Sequence, residues 1–153
     1  MRILVMSDSH GNKNAMLTAV ERESPDLVLH LGDHDRDCSA IEWKYPEIPV
    51  RTVKGNCDRT SAGLDTDEFL LGDKRFFMTH GNLHSVKLGL KSLISYAESR
   101  DIDVLLFGHT HRPYNEVAND IAIINPGSIG MGIKTYAVLE LRNGVMTCEI
   151  LKL

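Results

Sequence analysis

The sequence predicts a mixed α/β protein with two sheets facing each other and helices outside. Two patterns and the chain's size predict it. Over residues 2–55, short apolar runs alternate with helical spacing, the signature of a parallel α/β unit. From residue 67 onward, turn dipeptides separate closely spaced apolar runs, the signature of hairpins. The chain has 153 residues, 42% of them hydrophobic, which is enough to bury a core without disulfide support. It is read as one domain spanning 1–153.

Each element is set by local pattern. RILVMS (2–7) is a short aliphatic run and reads as a buried strand. Residues 12–24 carry Ala15, Met16, Ala19 and Val20 at helical spacing, with Ser24-Pro25 as the stop. DLVLHLGD (26–33) is a second buried strand, 34–45 a weakly patterned helix, and VRTVKG (50–55) a third strand. Residues 67–81 read as two strands about Gly72-Asp73. A helix is expected over 86–100, where Val86, Leu90, Leu93, Ile94 and Ala97 share one face. DVLLFG (103–108) is another buried strand. Residues 115–125 turn at Asn119-Asp120, and 134–153 turn at Asn143-Gly144, so the second half is expected to be mainly antiparallel.

Composition narrows the function. The net charge is −4, which argues against a generic nucleic-acid binder or a binder of anionic membranes. No run approaches membrane-spanning length, and the N-terminal apolar run is too short for a signal peptide. Three cysteines with no CxxC pair suit a reducing compartment, so a cytoplasmic location is expected.

The chemistry lies at the strand ends. Asp8 and His10 come directly after the first strand and Asp33 after the second. Asn56 and Asp58 come after the third, His80 after the strand ending at 79, and His109 and His111 after the strand ending at 107. Ligands bind beyond the carboxyl ends of strands in open α/β sheets. Oxygen and imidazole donors delivered there form a metal-ligand set. At least seven of these are candidate ligands, more than the four of a closed structural zinc site, so two ions fit better than one. In an extended segment, His109 and His111 would put both rings on one side and serve neighbouring ions. Two divalent ions, two carboxylates and one hydroxide leave such a centre net positive, suited to phosphate rather than to calcium storage. Taken singly, Asp8, Asp33 and Asp58 would each also suit a helix cap, and the ordered set favours ligation. His30, inside VLHLG, reads as a core histidine, and Trp43 with Tyr45 as core or as an exposed patch.

Five short motifs occur in order: Asp8-Ser9-His10, Gly32-Asp33, Gly55-Asn56-Cys57-Asp58, Thr79-His80-Gly81 and Gly108-His109-Thr110-His111. Together they resemble the calcineurin-like metallophosphoesterases, and Asn125-Pro126-Gly127-Ser128 points to their small bacterial and archaeal phosphodiesterase branch. That branch also contains the retromer subunit of the same fold. The resemblance implies a four-layer α/β/β/α sandwich of two mixed sheets, with two divalent metal ions drawn from Mn, Ni, Fe or Zn. It implies Asp8, His10, Asp33 and His111 around one ion. Asp33, Asn56, His80 and His109 would surround the other, with Asp33 bridging.

The activity so implied is phosphodiester hydrolysis by attack of a metal-bridging hydroxide. Asp33 and Asn56 are candidate catalytic residues, as is Asp58, which would orient a neighbouring group. Small phosphodiesters are the expected substrates, with phosphomonoesters second; a homodimer is compatible. Cys57 stands where larger relatives carry a histidine, so acid assistance to the leaving group is not expected from it. The alternative is a metal-binding interaction scaffold of the same fold with weak or no catalysis.

Overall fold

The structure, a computed structural model, describes all residues 1–153. The chain runs β1 (Arg2–Met6), α1 (Lys13–Glu23), β2 (Leu27–His30), a 3-10 turn (Asp35–Cys38), α2 (Ser39–Lys44) and β3 (Val50–Thr52). Then come β4 (Thr66–Leu71), β5 (Lys74–Thr79), α3 (Lys91–Glu98), β6 (Val104–Phe107), β7 (Tyr114–Ala118), β8 (Ile121–Asn125), β9 (Thr135–Arg142) and β10 (Val145–Lys152). Two five-stranded mixed sheets result, in the orders β10-β9-β1-β2-β3 and β4-β5-β6-β8-β7. No helix is long and apolar enough to cross a membrane.

The strand alternation sorts side chains into three apolar layers. Ile3 and Val5 of β1, Leu27 and Leu29 of β2, Phe76 and Met78 of β5, and Val104 and Leu106 of β6 fill the space between the sheets. Their neighbours point outward. Leu4, Met6 and Val28 meet Ala15, Met16, Ala19 and Val20 of α1, whose predicted apolar face is the one buried. On the other side, Phe77, Leu105 and Phe107 meet Leu93 and Ala97 of α3. Packed on both faces, β2, β6 and β1 beyond Arg2 are buried and read as near-continuous hydrophobic runs. The three hairpin turns fall where the dipeptides place them, and Asn119, Asp120, Asn143 and Gly144 all take the positive φ such turns require.

Three details depart from the sequence reading. The second half is not one antiparallel unit. β5, β6 and β8 run parallel, and the β9–β10 hairpin crosses to pair with β1 in the first sheet. Turn signals identify consecutive strands, not spatial neighbours, and the α3 crossover is what makes β5 and β6 parallel. The helix expected from residue 86 begins at Lys91, because Gly89 at φ 142° and Ser85 at φ 53° break the helical backbone before it. Val86 and Leu90 still pack on the Phe77–Phe107 layer. Trp43 is 87% exposed, so of the two readings it belongs to the surface.

His30 is wholly buried at the end of β2. Its Nδ1 accepts the Gly32 N–H at 3.3 Å, and its Nε2 has no partner. Burial pushes its pKa down to about 4, against the raising influence of Asp8, Asp58 and Asp37. The unfolded chain therefore takes up a proton near pH 6.5 that the folded chain refuses until about pH 4. Stability from this group is complete above pH 6.5 and falls through that window, by about 3 kcal/mol. Chelated wild type should lose about that much more than His30→Leu in urea titrations between pH 7 and pH 4. Equal losses would show that His30 does not carry the effect.

Candidate metal centre

Parallel strands of both sheets end at the same edge of the sandwich, and the polar residues just beyond them meet there. Asp8, His10, Asp33 and His111 bring their donor atoms within 4.8 Å of one another. His111 Nε2 lies 3.1 Å from Asp8 Oδ1, His10 Nε2 lies 3.5 Å from His111 Nε2, and His10 Nε2 lies 3.8 Å from Asp33 Oδ2. A second group adjoins it. His80 Nε2 lies 3.1 Å from His109 Nδ1, 3.5 Å from Asp33 Oδ1 and 3.9 Å from Asp8 Oδ1. Asp33 thus turns one oxygen toward His10 and the other toward His80. Asn56 is exposed beside this second group, its amide donating to Cys57 Sγ at 3.5 Å rather than to another candidate ligand.

This convergence requires an unusual backbone. Asp8, His10, Asp33, His34, His109 and His111 all adopt positive φ, between 45° and 67°. Such a conformation costs a non-glycine residue on the order of 1–3 kcal/mol, and this kind of strain gathers at functional sites. Asp, Asn and His tolerate it better than most residues. It also corrects the reading of His-x-His. The segment after β6 is bent, not extended, so the two rings diverge to different neighbours: His109 to His80, His111 to Asp8 and His10.

Hydrogen bonds aim the donors. His80 Nδ1 donates to the Leu31 carbonyl at 2.8 Å, which leaves Nε2 as a lone pair facing the centre. Asp8 Oδ2 accepts from Ser7 Oγ at 2.5 Å and from the His109 N–H at 3.2 Å. Its Oδ1 is buried with no hydrogen-bond partner. An orphaned carboxylate oxygen among imidazole lone pairs is unfavourable unless a cation joins them, so the donor set fits divalent metal. Burial raises the Asp33 carboxyl, but the Cys57 N–H at 2.8 Å and His80 outweigh it, leaving Asp33 below its usual range and ionised. Burial, then His80 and Lys87, push His109 down and keep it a neutral donor. The Cys57 thiol is pushed up, first by burial and then by Asp33, so it stays protonated at neutral pH.

Other residues hold the loops. Asp58 Oδ2 accepts the Gly55 N–H at 2.8 Å, and its Oδ1 accepts the N–H groups of His34 and Asp35 at 2.8 and 3.2 Å. Asn125 is fully buried and donates to the Gly108 carbonyl and to Thr110 Oγ1, while Ser128 Oγ donates to the Asp8 carbonyl. Asp37, which sequence reasoning did not single out, accepts from Ser9 Oγ and the Gly11 N–H, both at 2.8 Å. The serines bracketing Asp8 were the available signal for such tethers. His34 sits outside the ligand group, its ring 5.3 Å from that of His10, and His84 packs away from it on Phe77 and Tyr96.

Known proteins share this chain's sequence pattern and fold. The calcineurin-like phosphoesterase superfamily domain matches residues 1–144. Probable metallophosphoesterase YsnB of Bacillus subtilis is 38% identical, covering 96% of this chain and 88% of its own. Phosphodiesterase YfcE of Escherichia coli is 33% identical, over 86% of this chain and 80% of its own. A crystal structure of a predicted phosphoesterase from Streptococcus pneumoniae superposes with TM-score 0.81 at 27% identity, covering 99% of this chain and 88% of that one. Zinc-complexed Vps29 of Entamoeba histolytica superposes with TM-score 0.75 at 20% identity, covering 99% of both chains, and shares the fold.

Proposed function

The chain belongs to the calcineurin-like phosphoesterase superfamily and is a metal-dependent phosphoesterase; from that premise we propose that it hydrolyses small phosphodiesters at a pair of divalent ions. The observation that carries the pairing is the splayed Asp33 carboxylate. One oxygen faces the His10 side and the other the His80 side, with the orphaned Asp8 oxygen between His111 and His80. Asp8, His10, Asp33 and His111 would hold one ion, and Asp33, Asn56, His80 and His109 the other. When bound, such ions supply positive charge to the phosphoryl group and acidify water at neutral pH.

The chain's own residues do the rest. His80 is held in one tautomer by the Leu31 carbonyl, so its Nε2 is available without reorganisation. Asp58 is a positioning residue: its Oδ2 closes the 55–58 turn on the Gly55 N–H, and its Oδ1 ties that turn to His34 and Asp35. Asn56 rides on that loop at the mouth of the site. Cys57, a weakly acidic thiol, gives little help to a departing alkoxide, so esters of acidic alcohols react fastest. The phosphodiesterase name of YfcE supports the diester over the monoester. A cytoplasmic location and manganese as the working metal belong to the same proposal.

The test is hydrolysis of bis-p-nitrophenyl phosphate with added Mn²⁺, Ni²⁺ or Zn²⁺, before and after chelation. Turnover should fall to background on chelation and return on re-addition of metal. Absence of turnover with every metal would favour the non-catalytic scaffold, the reading that the Vps29 fold likeness keeps in view.

A further inference from the structure

Beside the metal centre lies a cavity of about 580 Å³ that none of the ligands lines. Part of its lining, Val86, Lys87 and Leu90, comes from the non-helical segment ahead of α3. Gly89 holds that segment out of helix. The rest of the lining is the chain that leaves the metal centre. Phe107 ends β6, Thr110 separates His109 from His111, Arg112 comes next, and Tyr114 opens β7. The Phe107 and Tyr114 rings are tilted to each other with centroids 6.2 Å apart, and Leu90 packs on the same layer. Two cationic side chains and no acidic one line it. Its volume is that of a small-molecule site, and an apolar, aromatic body with a few charges is how such sites are built.

Resting on the phosphoesterase reading, we propose that this cavity is the subsite for an aromatic or heteroaromatic arm of the ester, with Lys87 and Arg112 at the side where that arm joins the anionic phosphoryl group. Three observations carry this. The cavity and the centre share one stretch of chain, because Thr110 lies between two candidate ligands. The wall is shaped by aromatic and aliphatic side chains, which bind a flat apolar body. The break at Gly89 is a local departure from helical pattern, and in a sequence that otherwise agrees with its fold such departures collect at functional sites. Leu90 and Tyr114 are the specificity-determining residues, one from each of the two segments that line it. The hydrogen bonds and ion pairs that aim the candidate metal ligands involve neither side chain.

The experiment compares two phosphonates that share the anion and differ in the arm. Phenylphosphonate and methylphosphonate are titrated calorimetrically into Mn²⁺-loaded full-length protein. Wild type should bind the phenyl compound about tenfold more tightly or better, the gain from burying much of one ring. Leu90→Trp fills the cavity and should bring the ratio close to one, with methylphosphonate affinity unchanged. Tyr114→Ala removes the aromatic side chain of the other lining segment and should cut the ratio severalfold, which keeps the test decisive if the tryptophan variant folds poorly. A wild-type ratio of one, a ratio that survives both substitutions, or failure of both compounds to bind would overturn the assignment. Turnover of bis-p-nitrophenyl phosphate by wild type is read separately. Turnover without aryl preference removes the cavity assignment alone, and aryl preference without turnover removes the esterase reading alone.

Discussion

Asp33→Asn will lower turnover of bis-p-nitrophenyl phosphate by about three orders of magnitude while the protein stays folded. The size reflects the charge. If Asp33 bridges two ions as proposed, its loss removes several kcal/mol of metal-borne stabilisation from the transition state, at about 1.4 kcal/mol per tenfold. The fold survives because the amide has the shape of the carboxylate and keeps an oxygen for the Cys57 N–H. Removing one anion from a crowd of lone pairs also relieves repulsion in the metal-free protein. The same substitution should reduce the metal retained after gel filtration. Because Asp33 is held below its usual range, wild type draws stability from its ionised form above the unfolded pKa and loses it as pH falls through the folded value. The variant lacks that acid-side dependence. Activity within tenfold of wild type, with full metal content, would remove Asp33 from the bridging position.

Gly55→Ala will destabilise the protein by about 3 kcal/mol and displace Asp33. A Cβ at residue 55 would stand 2.2 Å from Asp33 Oδ1 and 2.4 Å from the Asp33 backbone nitrogen. The side chain can swing away, but the backbone cannot without moving the loop that carries the carboxylate. The clash is therefore steric, with no φ strain to confound it. Gly132→Ala is the control: its φ is 58° and nothing lies within 4 Å of the added carbon, so only backbone strain of about 1 kcal/mol is expected there. Urea titration of the chelated proteins measures stability, and metal titration measures the site. Equal effects at the two glycines would show that the close approach of the two loops does not matter.

Much of this site is legible in the sequence because each donor sits directly after an apolar run. Strand ends can be read from such runs, so the pattern places Asp8, Asp33, His80 and His109 each at a strand end. That these ends share one edge depends on the parallel β5–β6 pairing, which the turn signals do not show. The glycine beside each motif is legible as close approach, and Gly55 and Gly108 meet that description. The sheet partner of β9 is not legible, since pairing between residues as distant as Arg2 and Glu140 leaves no local trace. Nor is the left-handed backbone that turns Asp8, His10, Asp33, His109 and His111 inward, because φ depends on tethers such as Asn125 and Ser128 far along the chain. The start of α3 escapes the pattern because the apolar spacing of Val86 and Leu90 serves burial equally well in a loop. Part of the cavity's lining comes from that same segment.

The centre itself is tested most directly by anomalous diffraction at the manganese edge on crystals of Mn²⁺-loaded protein. Two peaks about 3.5–4 Å apart are expected. One should lie among Asp8, His10, Asp33 and His111, the other among Asp33, Asn56, His80 and His109. A single peak, or two that do not share Asp33, would contradict the paired-ion account.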